Sequence, residues 1–168
     1  MAHDAVSQYR RWFEYEKDSH RKVLESFETV PPEGRTSATY QKALDLMGHI
    51  VVARRMWLYR LGVNPDRPAA IFPTGVSREA LKQDQASMER IWDDYFRGLK
   101  EEDLDRVLEY RSLDAGPFRS RLEDILAQLY GHSWYHRGQI AMLVRDAGGE
   151  PAVTDLVYWC REPVPVSS

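Results

Sequence analysis

The stretch SRLEDILAQLYGHSWYHRGQIAMLVRDAGG, residues 120–149, has the pattern of one long amphipathic helix. Ser120 and Glu123 have the spacing of a capping box, and Gly148 is suited to the C-terminal cap. The stretch therefore predicts a helix that starts at Ser120 and runs to about Ala147. Two histidines join the apolar residues of its core-facing series, which is Leu122, Ile125, Leu126, Leu129, His132, His136, Ile140 and Leu143.

Three earlier segments show the same helical period, at residues 4–28, 38–61 and 77 to about 99. The period changes to two in RVLEYRSL, residues 106–113, which is followed by turn residues DAGP and then FRS. That change predicts a small β-hairpin before the last long helix. We therefore expect an all-α protein: a single four-helix-bundle domain over residues 1–168, with one hairpin.

The longest connection, residues 62–77, contains three prolines and two glycines, which is too many for a helix interior. Ile71 and Phe72 lie within it, although a solvated linker rarely contains such residues. The segment is therefore predicted to be an ordered loop that lies over another part of the protein. Ser77 is predicted to cap the helix that follows.

The composition is that of a soluble globular protein, with 43% apolar and 29% charged residues. A formal charge of −3, from 23 basic and 26 acidic residues, gives no overall attraction to nucleic acid or to an anionic membrane. The first residues lack the apolar core of a signal peptide, and no segment approaches the roughly 18 apolar residues of a membrane span. Because Cys160 is the one cysteine, no intrachain disulfide can form, and we expect a cytoplasmic protein.

Three histidines are candidates for a metal site inside the bundle. His132 and His136 are neighbours on one helix face, and His49 has apolar neighbours on the second helix. Three imidazoles suit zinc, nickel, copper or iron, and they leave a coordination position for water or substrate. The alternative is that these histidines are hydrogen-bonded core residues. HSWYH lacks the glutamate of H-E-x-x-H, and no Glu-x-x-His occurs, which argues against that metalloprotease motif and against a ferritin-like di-iron site.

The remaining candidate residues receive weaker predictions. His20 lies on the apolar stripe of the first helix, and a core or surface role is favoured over a role as a ligand. His3 is expected to be disordered, and Cys160 is expected to be incidental. Tyr135 and Arg137 point away from the histidines on the helical wheel, so packing or a dimer interface is their expected role.

The sequence resembles the DinB family over nearly its whole length. The resemblance is carried by YRRWFEYE in the first helix, DLMGHIVVARRMWLYRL in the second and HSWYHRGQIAMLVRDAGGEPAVTDLVYW at the end. It implies a bundle with up-down-down-up connectivity, a homodimer, and a metal triad of His49, His132 and His136. Characterised members of that family include bacillithiol- or mycothiol-dependent transferases and a mycothiol-dependent maleylpyruvate isomerase.

The resemblance favours a metal-dependent enzyme that transfers a thiol to an electrophile. The alternatives are a metal-dependent hydrolase, a non-catalytic metal-binding stress-response protein, and a structural homodimer whose histidines only pack. The expected cofactors are a divalent ion (zinc or nickel, with iron and copper as further candidates) and a low-molecular-weight thiol. The expected partners are that thiol, an electrophilic substrate and a second copy of the chain, with no nucleic acid and no membrane. No residue of the sequence is identified as a general base, so the catalytic residues stay unknown.

Overall fold

Four long helices and one hairpin form the described part of a computed structural model, which covers residues 4–112 and 116–164. The all-α bundle with a hairpin before the last long helix is confirmed. His3 and part of the predicted hairpin turn lie outside the described residues. The elements are α1 (Ala5–Thr29), α2 (Ala38–Arg60), α3 (Arg78–Gly98), β1 (Val107–Arg111), β2 (Pro117–Arg121), α4 (Leu122–Asp146) and α5 (Leu156–Cys160), with 3-10 turns at Gly34–Thr36 and Glu101–Asp105.

The core forms where the apolar stripes of the four long helices meet. In α1 the positions that recur at steps of three and four are all buried, although two of them are polar; they are Val6, Tyr9, Phe13, Glu16, His20, Val23 and Phe27. The burial of the apolar side chains of these stripes, which removes their surface from water, is the main source of the bundle's stability. The largest apolar side chains that are almost fully buried include Phe13, Phe27, Met47, Trp92 and Leu126.

Helices α1 and α4 run in the same direction. At one end of the pair, the Tyr9 hydroxyl donates to the Glu123 carbonyl oxygen at 3.3 Å. At the other end, the Glu150 amide donates to the Thr29 hydroxyl at 2.7 Å. Early residues of one helix therefore lie beside early residues of the other.

Helices α2 and α3 also run parallel to each other. The Val76 amide, just before α3, donates to Asp45 in the first half of α2 at 2.9 Å. Further along both helices, by about two to three turns, the Arg55 guanidinium lies 3.1 Å from Asp84. Since a short connection makes α2 antiparallel to α1, the connectivity is up-down-down-up. A parallel pair needs a crossing from one end of the bundle to the other, and this explains the long loop between α2 and α3.

The predicted capping box at the start of α4 is wrong. Strand β2 extends to Arg121, so Ser120 lies in the hairpin opposite Leu108, and its hydroxyl lies 3.1 Å from the Tyr110 hydroxyl. The helix begins at Leu122, whose amide donates to the Arg106 carbonyl oxygen at 2.9 Å. The chain just before the hairpin therefore provides an acceptor for the first amide of the helix, which has no acceptor within the helix itself.

Among the helices of the described segments, none is long and apolar enough to cross a membrane.

Candidate metal centre

The three predicted histidines lie together between α2 and α4. The Nε2 atoms of His49 and His132 are 3.0 Å apart, and one ligand nitrogen from each histidine lies within 4.8 Å of the other two. The ring of His136 is 4.5 Å from that of His132 and 4.8 Å from that of His49, between centroids. One ion with metal–nitrogen distances of about 2.0–2.1 Å needs ligands at this spacing. The group could therefore hold a metal ion.

Two of the three rings are oriented by hydrogen bonds at Nδ1. His49 Nδ1 lies 2.7 Å from the Ile71 carbonyl oxygen, and His136 Nδ1 lies 2.7 Å from Gln139 Oε1. Because a carbonyl or amide oxygen only accepts, each Nδ1 carries the proton and donates it. The Nε2 lone pair of each ring is then available for a ligand. Such outer partners are typical of metal-binding histidines.

The site favours neutral imidazoles, which is the form that binds a metal. Burial, together with the charges of His136, His49 and Arg54, lowers the pKa of His132 to about 4. Burial also lowers the pKa of His49, against the hydrogen bond to Ile71, which raises it. Neither ring therefore needs to lose a proton at neutral pH before it can coordinate an ion.

The two histidines of α4 lie nearer the surface than their place in the predicted series suggests. His49 is buried, whereas His132 and His136 are half-buried. The innermost positions of this part of α4 belong to Ser133 and Arg137, each one residue further along. Successive residues are about 100° apart around the axis of an α-helix. Because Ser133 and Arg137 occupy the innermost positions, the imidazoles lie at the edge of the core, where a ligand can reach them.

The loop between α2 and α3 covers the site, as its apolar residues predicted. The Phe72 ring stacks on the His49 imidazole, with 4.2 Å between centroids and 9° between planes. The other face of Phe72 is open to solvent, since 70% of this residue is exposed. The sequence did not assign Ile71, Phe72 or Gln139 to the site. Gln139 could have been found from its i+3 spacing to His136, but the position of the loop depends on the tertiary structure.

A pocket of about 340 Å³ opens beside two of the histidines. Such a volume suits a small molecule. Its wall is mostly apolar, and Arg60 lies at its far end. The residues that line it are His49, Ala53, Met56, Trp57, Arg60, Ile71, Phe72, Ser112 and His132.

A second polar cluster lies in the bundle core and is separate from the three histidines. Glu16 is fully buried and pairs with the Arg54 guanidinium, while its Oε1 lies 3.7 Å from Arg137 Nη1. Arg137 also donates to the Tyr15 hydroxyl at 2.7 Å. The sequence placed Arg137 away from the histidines, which is correct. It is a buried ion-pair residue of α4, so of the two predicted roles, packing or a dimer interface, it has the packing role.

His20 belongs to this core cluster, in agreement with the preferred prediction. Its Nδ1 lies 3.0 Å from Glu89 Oε1, and its Nε2 lies 3.8 Å from Glu16. Burial lowers the pKa of His20 to about 3, and burial raises the pKa of Glu89 to about 7. His20 is therefore a neutral core residue at physiological pH. The Tyr135 ring packs edge-on against that of His136, with 5.1 Å between centroids, although 66% of Tyr135 is exposed. The prediction that Tyr135 points away from the histidines therefore does not hold for His136. Cys160 is exposed on α5.

Comparison with known proteins agrees with this architecture. The model of the DinB family matches residues 2–162. The crystal structure of a DinB-like protein from Bacillus cereus is similar, with a TM-score of 0.67 and 18% sequence identity. The match covers 86% of this chain and 94% of that chain, and at this identity it shows the fold alone. No curated protein matches the chain.

Proposed function

The chain belongs to the DinB family, and on this premise we propose that it is a metal-dependent enzyme in which His49, His132 and His136 hold one divalent transition-metal ion. The observation that carries the proposal is the convergence of the three imidazoles from two helices. The hydrogen bonds at Nδ1 of His49 and His136 add to it, because they present both Nε2 atoms to the same point. Zinc and nickel suit three neutral imidazoles best, with iron and copper as further candidates.

A divalent ion held by three protein ligands would supply a Lewis acid with an open position, which lowers the pKa of a bound thiol or water. The chain's own contribution is to orient the imidazoles and to keep them neutral. Phe72 and Ile71 cover His49 on the loop side and limit the access of water to that ligand. The pocket beside His49 and His132 supports a reaction in which a second small molecule approaches the same centre.

Within this class we propose thiol transfer to an electrophile, with hydrolysis as the alternative. A thiol ionises near pH 8.5, so a modest lowering of its pKa yields thiolate at neutral pH without a separate base. Activation of water more often uses a general base such as a carboxylate. The described lining of the pocket contains no carboxylate, which favours the thiol.

Metal binding is tested on protein purified without an affinity tag. We expect about one zinc or nickel ion per chain by elemental analysis after loading, and less than about 0.1 in the His49→Ala variant. Met142→Ala is the matched control, because Met142 belongs to the same helix as His132 and His136 and its side chain is 61% exposed. Circular dichroism verifies that both variants are folded. Equal metal content in the wild type and His49→Ala would refute the site.

Activity is tested with a panel of low-molecular-weight thiols against epoxides and chlorodinitrobenzene, and separately with esters in the absence of thiol. Thiol transfer predicts metal-dependent loss of free thiol that His49→Ala abolishes. Ester cleavage without thiol would instead support the hydrolase. Stoichiometric metal without turnover on either panel would support a metal-binding protein with no catalysis on these substrates.

A further inference from the structure

The pocket beside the histidines ends at an arginine whose charge has no counter-ion in the described part of the chain. Arg60 is the last residue of α2 and lines the pocket together with His49 and His132. Over residues 4–112 and 116–164, no carboxylate lies within ion-pair distance of its guanidinium. A partly buried arginine that faces a cavity in this way is suited to an anionic ligand.

The Arg60 guanidinium is held in a fixed position. It stacks on the Trp57 ring at 4.6 Å and on the Tyr110 ring at 4.8 Å, measured from Cζ to each centroid. Its Nη2 donates to the Arg111 carbonyl oxygen at 3.1 Å. A guanidinium has five N–H donors, and this bond uses one of them. Because the stacking has already removed much side-chain freedom, little further entropy is lost when an anion binds.

A second guanidinium, that of Arg67, lies near enough to Arg60 to affect its pKa, although Arg67 is not among the lining residues of this pocket. Burial, and then the charge of the nearby Arg67, lower the pKa of the Arg60 guanidinium, although Tyr110 raises it. The group still stays charged at neutral pH, because arginine does not deprotonate in proteins. An incoming anion would therefore relieve the repulsion between the two guanidinium groups.

We propose that this pocket binds a small, elongated substrate whose carboxylate pairs with Arg60 and whose apolar body lies along Ala53, Met56 and Trp57. His49 and Arg60 are separated by about 16 Å along the axis of α2. The arginine side chain leans toward the start of its helix, which shortens this distance. The other end of such a molecule then reaches the histidines. The inference rests on the proposed function, because it assigns the substrate class of the same centre.

The test uses metal-free protein, so that no probe can bind through an ion. The probes are phenylbutyrate, which carries a carboxylate, and phenylbutanol, its neutral analogue. Binding is followed by calorimetry and by the NMR signal of the Trp57 indole. We expect phenylbutyrate to bind at least about tenfold more tightly than phenylbutanol, as a charge-assisted hydrogen bond requires. Arg60→Gln should abolish this preference, and Arg60→Lys should retain part of it.

Arg111→Gln is the matched control, since it removes a positive charge from an exposed side chain nearby and keeps the carbonyl that Arg60 contacts. It should leave the preference unchanged. Equal affinity of the wild type for the two probes, or no saturable binding of phenylbutyrate, would overturn the inference. An equal loss of affinity for the two probes in Arg60→Gln would also overturn the inference, because that result indicates a purely structural role for Arg60. Metal content is measured separately, so a failure here is distinguishable from a failure of the metal site.

Discussion

The Glu16→Gln variant tests whether the buried ion pairs in the bundle core stabilise the fold. Glu16 is fully buried, and the two arginines it contacts, Arg54 and Arg137, are 1% and 3% exposed. Arg54 Nε and Nη1 have no hydrogen-bond acceptor among the described residues. The Glu16 carboxylate is therefore the main compensation for two charges that have been removed from water. Glutamine keeps the size of the side chain and removes its charge.

Leaving a buried charge uncompensated costs about 3–5 kcal/mol. A domain of this size loses about 2–4 °C in melting temperature per kcal/mol, so we expect Tm to fall by roughly 6–20 °C. Urea unfolding followed by circular dichroism, with calorimetry at pH 7, measures both quantities. The apolar rings around Arg54 make the effect large, because Phe13, Trp92 and Tyr130 lie within 5.7 Å of its Cζ and offer little solvation.

The control is Glu14→Gln on the same helix. Glu14 pairs with Lys17 at 2.8 Å, but its side chain is 61% exposed, and such surface pairs contribute about 0–1 kcal/mol. A second control combines Glu16→Leu with Arg54→Met, which removes both partners and should lie closer to the wild type than Glu16→Gln does. If Glu16→Gln is no less stable than Glu14→Gln, the reasoning about the core pair is refuted.

Three further predictions follow from other parts of the structure. His20→Gln should reduce the loss of stability between about pH 4.5 and 3. In that range His20 binds a proton in the unfolded chain but not in the folded protein. Glu89 is already protonated in the folded protein at these pH values. The free energy of unfolding of the wild type therefore decreases as the pH falls. Gln139→Ala should weaken metal binding about 10–100-fold in a chelator competition, because His136 loses its orienting hydrogen bond. Gly34→Ala should cost about 1–3 kcal/mol in urea unfolding, because a Cβ there would lie 2.2 Å from a carbonyl oxygen at the end of α4.

Each of these three has an outcome that contradicts it. A stability difference between His20→Gln and wild type that is constant with pH would show that His20 does not titrate in this way. Gln128→Ala, at an exposed position of α4, should leave metal affinity unchanged, and an equal effect of Gln139→Ala and Gln128→Ala would contradict the orienting role. Gly131→Ala lies in a helix with open space around its Cβ, so it should stabilise by about 0.5–1 kcal/mol. Matching effects at Gly34 and Gly131 would contradict the close contact.

Much of this fold could be predicted from local patterns. Helical periodicity located the four long helices, and Gly62 ends α2 with a positive φ of 73°, which glycine adopts without strain. The i+4 spacing of His132 and His136 put both on one face of α4, and helical phase then made His49 a candidate partner. These predictions succeeded because each depends on residues within a few turns of one another.

Two local predictions were wrong or left open for a common physical reason. Ser120 has a capping-box sequence, but the hairpin partner strand competes for the same backbone and keeps it extended. For Arg137 the sequence left packing and a dimer interface open, and it is buried in the core because Glu16 on another helix compensates its charge. In both cases a partner that is distant in sequence decides the outcome.

The sequence by itself determined the four helices, the hairpin and the three histidines, because periodicity, glycine conformation and residue chemistry act locally. Only the tertiary structure decided that the imidazoles converge, that Ile71 orients His49, and that Arg60 faces the adjoining pocket. The contact between His49 and His132 joins residues 83 positions apart in the chain, and that between His49 and Ile71 joins residues 22 positions apart. Their geometry depends on how the helices pack, and packing is the outcome of the whole core.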